Sequence, residues 1–243
     1  MVRERMECKN CNSIFEGNYC NNCGQKAGEK RFMLSNLPGE FLHGFYHVHS
    51  GLVFTIRELF IRPGETLRGY IYGKRVKYFN PFTYLLLISL VGGILYKWSG
   101  MPDHMNENLL ASGDTIRFTG KYFSYRMLLT IPAYAIMCSI IYRSFKYNIA
   151  EHLIVNTFLI SQSIVLMIVW MLIVILVKPG NLVYEILYIS AFSSFILYQV
   201  VVFFRLFNTG KTFLRWIKSA ATVFIGLGLS FVLMNFLMKI VHL

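Results

Sequence analysis

Four cysteines arranged as two identical hooks, Cys8-x-x-Cys11 and Cys20-x-x-Cys23, are the residues of this chain best suited to chemistry. A two-residue gap lets both thiolates of a hook turn toward one ion, and two hooks close a tetrahedron of sulfur around it. Such a site leaves no position open for a substrate, so the expected occupant is a structural Zn2+. Two disulfides are the rival use of the same residues, and iron–sulfur ligation is a lesser one. Paired hooks in a reducing compartment favour zinc. A redox CxxC would open a helix beside a βαβ pattern, which this sequence lacks. Metal binding would also let a polar segment with almost no core fold at all.

A second group is His43, His47 and His49, three of the six histidines within seven residues. With residues 40–48 helical, His43 and His47 share a face one turn apart, a spacing suited to one metal or one phosphate. They are the candidate catalytic residues, with Glu40 as the nearby carboxylate. The alternative is an interfacial helix whose imidazoles have one edge among headgroups and another at the apolar boundary.

The third group is a basic collar. Arg62, Arg68, Lys74, Arg75 and Lys77 place five cations and one acid, Glu65, within sixteen residues, accompanied by Tyr70, Tyr72 and Tyr78. At about 1 kcal/mol per basic residue near an anionic surface, the collar suits lipid headgroups or a phosphorylated ligand. A generic membrane anchor and a dedicated phosphate pocket built from Arg68, Lys74 and Arg75 are both compatible with it.

The elements that must position these groups follow from composition. With 55% hydrophobic, 16% aromatic and only 15% charged residues, the chain is too apolar for an ordinary soluble fold. The expected class is an all-α polytopic membrane protein carrying a small N-terminal zinc ribbon and interfacial amphipathic helices. Residues 1–31 form the ribbon. Residues 35–81 form the amphipathic segment and collar, with Leu52, Ile56, Leu59 and Phe60 on one helical face. Residues 82–243 hold about five spans, near 82–98, 123–142, 152–177, 183–204 and 220–238. The second is the weakest, containing Arg126 and Pro132, and four spans with a re-entrant segment is the alternative. Asn80-Pro81 suits the cap of the first, Pro63 the first turn of a short helix, and 178–181 a tight turn between the third and fourth.

Charge orients this map. Placing residues 1–81, 143–151 and 205–219 on one side gives that side 18 of the 24 Lys/Arg, which assigns it to the cytoplasm with the N-terminus inside. The N-terminus lacks the apolar core of a cleavable signal. The net charge of +12 points to anionic lipid before nucleic acid, and residues 8–24 carry only Lys9 and Glu16, so the ribbon offers nucleic acid no basic surface.

The ribbon ending in Cys23-Gly24-Gln25, followed by Arg62-Pro63-Gly64, Arg68, Tyr70, Gly73-Lys74-Arg75, Tyr78 and Pro81, resembles an uncharacterised family of bacterial zinc-ribbon membrane proteins, catalogued as a domain of unknown function. The resemblance covers residues 8–25 and about 37–87. It implies a multi-pass protein of a bacterial inner membrane and no particular chemistry. The expected function is a non-enzymatic module whose ribbon docks a cytoplasmic protein and whose collar binds anionic lipid or a phosphorylated ligand. An enzyme acting on a lipid-linked or phosphorylated substrate through His43 or His47 is the first alternative. A transporter or pore is the second.

Overall fold

Apolar runs of spanning length need every backbone polar group satisfied within the segment, which helices do locally. The computed structural model describes residues 5–29, 31–39, 51–100, 123–178, 180–208 and 210–241 and is helical beyond a short N-terminal hairpin. The hairpin pairs β1 (Met6–Glu7) with β2 (Ile14–Phe15). Two short helices follow, α1 (Leu52–Ile61) and α2 (Pro63–Ile71), and then five long ones: α3 (Pro81–Trp98), α4 (Phe123–Ile141), α5 (Ile149–Val177), α6 (Asn181–Leu206) and α7 (Thr212–Val241). Histidines 43, 47 and 49 lie outside the described residues, as does the loop expected over 99–121 beyond residue 100.

Local signals place the helix starts. Asn80 caps α3 by accepting from the backbone N–H groups of Phe82 and Thr83, with Pro81 in the first turn. At α5, Asn148 and Glu151 form a reciprocal capping box. Pro63 opens α2, and Glu65 sits in its first turn. The largest boundary difference is at α7, which begins at Thr212 instead of near 220. Trp216 stacks on Phe204 at 4.2 Å and Arg215 donates to the Phe204 carbonyl, so contacts with α6 order this basic stretch as helix.

Among the described residues four helical stretches are long and apolar enough to cross a membrane: Pro81–Trp98, Ile149–Val177, Leu182–Leu206 and Thr212–Leu233. α4 contains a shorter apolar stretch, Thr130–Ile141. Tyr84 meets Gln162, Gly92 faces Ile164 and Ile168, and Tyr96 clusters with Met171 and Val174, so α3 and α5 run parallel. Two parallel helices need a return between them. α4 supplies it, at 19 residues or about 28 Å. It runs antiparallel to α7, with Tyr134 donating to the Val223 carbonyl and Tyr142 beside Ser219 and Thr222. α5 and α6 are antiparallel, joined by Trp170 with Ser194 and by Gln199 with Ser163.

The core holds Leu59, Leu67, Tyr84, Tyr134, Phe158, Phe203 and Phe207. It therefore includes α1 and α2. Of the stripe expected to face lipid, Leu59 is buried and Leu52 and Ile56 pack on the core, whereas Phe60 stays partly exposed beside Val53 and Ile61. The reason is backbone chemistry. Pro63 has no N–H to give the Leu59 carbonyl four residues earlier, and the hydroxyl of Tyr198 on α6 donates to it instead at 3.1 Å. Gln162 on α5 donates to the Ile56 carbonyl while accepting from Tyr84.

Candidate functional site

The two hooks fold as copies of one another. In each, the residue after the second cysteine turns back to the first, Asn12 N–H to Cys8 O and Gly24 N–H to Cys20 O, both at 2.8 Å. Asn12 and Gly24 occupy the left-handed region (φ 59° and 75°) that this reversal needs. The N–H groups of Cys8 and Cys20 are in turn taken by the carbonyls of Ser13 and Gln25.

This brings the sulfurs of Cys8, Cys11, Cys20 and Cys23 within 4.8 Å of one another. Sγ of Cys8 lies 3.5 Å from that of Cys23, and Cys11 lies 3.6 Å from Cys20. These separations are too long for a disulfide and match the edge, about 3.8 Å, of a tetrahedron with metal–sulfur bonds of about 2.3 Å. The donor set fits a thiophilic ion such as zinc. The Ser13 hydroxyl, 2.9 Å from Cys11 and 3.2 Å from Cys20, helps hold both thiols below their ordinary range, Cys11 at about 6. Burial pushes the Cys23 thiol up to about 11, a penalty that a bound cation removes. Apart from Cys8, Phe15 and Cys20, little is buried in this lobe.

The lobe is fastened to the helices through the motif residues downstream of it. Gln25 donates from Nε2 to the Gly73 carbonyl at 2.8 Å. Gly73 has φ 110°, and a Cβ there would come within 2.9 Å of the Lys9 side chain. Arg75 pairs with Glu29 at 2.5 Å and lies over the Phe32 ring at 3.7 Å. Arg31 grips Glu151 through Nε and Nη2, both at 2.7 Å, and also donates to the Lys146 carbonyl.

A second junction joins α2 to the end of α6. Arg68 donates from Nη1 to the carbonyls of Arg205 and Leu206, at 2.8 and 2.7 Å, and Arg205 returns a bond to the Ile61 carbonyl. Gly64 sits so close that a Cβ would fall on the Arg205 carbonyl. The Arg62-Pro63-Gly64 and Arg68 positions thus form an interlock of two helix ends. Arg62 itself pairs with Glu58, which holds its guanidinium charged more firmly than usual.

The collar residues accordingly do not share one pocket. Arg75 lines a hollow of about 420 Å³ with Lys9, Glu29, Arg31, Lys146 and Glu151. Arg62 and Arg68 line another, of about 520 Å³, with Glu65, Arg205 and Arg215. Lys74 is exposed with its stem over Gly69, and Lys77 is exposed while its carbonyl abuts Gly51. The spacing along the chain could not show this division, because Arg68 lies on α2 whereas Arg62 precedes that helix and Lys74, Arg75 and Lys77 follow it in a turn facing other partners. Glu151 was also hidden from sequence reasoning, although Asn148-x-x-Glu151 is a capping-box signature that marks it.

A family model described as "Protein of unknown function (DUF3667)" matches residues 49–92. That stretch comprises α1, α2, the collar and most of α3, and so holds the Gly64 and Gly73 contacts. No curated protein and no solved structure matches the chain.

Proposed function

We propose that the chain is a non-enzymatic module of a bacterial inner membrane, with its N-terminus cytoplasmic, that binds anionic phosphate groups at headgroup level through the basic end of its bundle. The ribbon carries one structural Zn2+ and acts as a clamp on that end. Its outer face, where Ile14 and Tyr19 are exposed, is the part left to meet a cytoplasmic protein. One observation supports the reading above the others. The ribbon, the collar, residues 143–151 and residues 205–215 all gather at one end of the helices, and these are the segments that the basic count assigns to the cytoplasm.

The test uses the purified full-length chain in nanodiscs. Phosphatidylglycerol should be enriched around it relative to phosphatidylcholine, in a salt-sensitive way, with one zinc per chain. Equal retention of the two lipids would remove the headgroup part of the proposal. Metal analysis without zinc would remove the clamp.

A further inference from the structure

The hollow at the α2–α6 junction has a charge balance that the interlock does not explain. Four guanidiniums, Arg62, Arg68, Arg205 and Arg215, line it with a single carboxylate, Glu65. Arg62 has Glu58 as an ion-pair partner, but among the described residues Arg68, Arg205 and Arg215 pair with no carboxylate. They meet neutral groups: the carbonyls of Ile61, Phe204, Arg205 and Leu206 and the side chain of Asn208.

The end of α6 carries only a fraction of a negative charge, which one guanidinium would already balance. Three are present. Each also keeps N–H groups with no partner among the described residues, since there Arg68 engages through Nη1 alone and Arg205 through Nη1 alone. The Nε–H of Arg215 is buried and has no hydrogen-bond partner among the described residues. A buried donor of this kind is costly unless something accepts from it.

We propose that this hollow is a specific binding site for a phosphate group, held by Arg68, Arg205 and Arg215 with Arg62 at its rim. Planar guanidiniums match the oxygens of phosphate in pairs, and a monoanion or dianion neutralises the unpaired charge while accepting from Arg215 Nε. The phosphate could be carried by a lipid or be free. Phe145 and Leu206 in the wall, and exposed Phe213, Trp216 and Ile217 on the adjoining turns of α7, give acyl chains a surface beside the site. The proposal rests on the headgroup reading above but assigns it to one place, with two arginines outside the collar.

The experiment measures phosphatidylglycerol retained by the full-length protein in native mass spectrometry, with inorganic phosphate as a second probe. Arg215→Gln and Arg205→Gln should each lower occupancy about tenfold, the loss of one charge-assisted contact. Lys146→Gln in the neighbouring hollow and Lys77→Gln on the exposed collar should lower it far less, by the share of one diffuse surface charge. Arg205 is exposed at its tip, so its variant keeps the test alive if Arg215→Gln fails to fold. Saturable binding of inorganic phosphate that is lost in the same two variants also supports the site and names a free phosphate as ligand; binding of the lipid alone names a headgroup. Equal loss in all four variants means diffuse attraction, which overturns the site and leaves the headgroup reading standing. No preference of the wild type for phosphatidylglycerol or phosphate overturns both.

Discussion

Gln25, two residues past the last ribbon cysteine, donates its side-chain amide to the carbonyl of Gly73, forty-eight residues away and just past the end of α2. The four-cysteine lobe and the basic motif are thereby one structure. Removing this bond as Gln25→Ala should cost about 1 kcal/mol, because a buried carbonyl loses its donor. Gly73→Ala should cost more, since it adds left-handed strain to a contact with Lys9. Protease sensitivity of residues 26–34 should rise in both variants while the spans stay intact.

Metal loss should release the clamp. Cys20→Ser should abolish stoichiometric zinc, and a chelator should expose the ribbon to proteolysis without unfolding the helices. Protons compete with the ion for the thiolates, so retention should fall as pH drops from neutrality, never as it rises mildly above it. Zinc measured by elemental analysis after dialysis across a pH series checks this sign.

Arg31 and Glu151 form an asymmetric pair, with the Arg31 side chain 61% exposed and Glu151 fully buried. Arg31→Ala should cost about 1 to 3 kcal/mol, less than for a wholly buried pair because water reaches the arginine side. Arg31→Ala combined with Glu151→Gln should recover part of that loss, since no buried charge is left unpaired. Thermal unfolding of the four proteins forms the double-mutant cycle.

Gly64 has no room for a side chain against the Arg205 carbonyl. Gly64→Ala should cost about 3 kcal/mol by driving α2 from the end of α6. Tyr198→Phe, which only uncovers the Leu59 carbonyl, should cost about 1 kcal/mol. A similar loss for both in denaturation assays would show that the helix ends can separate freely.

The parallel run of α3 and α5 predicts that α4 crosses the membrane between them. Lys97→Cys, at the end of α3, and Lys146→Cys, after α4, should therefore react with impermeant thiol reagents from opposite sides, Lys146→Cys from the cytoplasm. Labelling from one side would reduce the number of crossings.

Much of this architecture was legible in local sequence. The hooks announce a sulfur tetrahedron because two-residue gaps are short-range geometry, and Asn80-Pro81 announces a helix start because the cap needs only the next three residues. The apolar runs announce spans because lipid leaves no other way to satisfy the backbone. The second apolar run was visible as a helix, although its direction in the bundle needed Tyr134 and Val223 to be seen together.

Tertiary structure alone decided what the motif residues do. Nothing in the sequence says that Arg75 turns to Glu29 while Arg68 turns to α6, or that Arg205 and Arg215 complete a hollow begun at Arg62. Those partners lie tens to more than a hundred residues apart, and no local periodicity links them. Charge along the chain predicts which segments share a side of the membrane; only packing determined which of those charges meet.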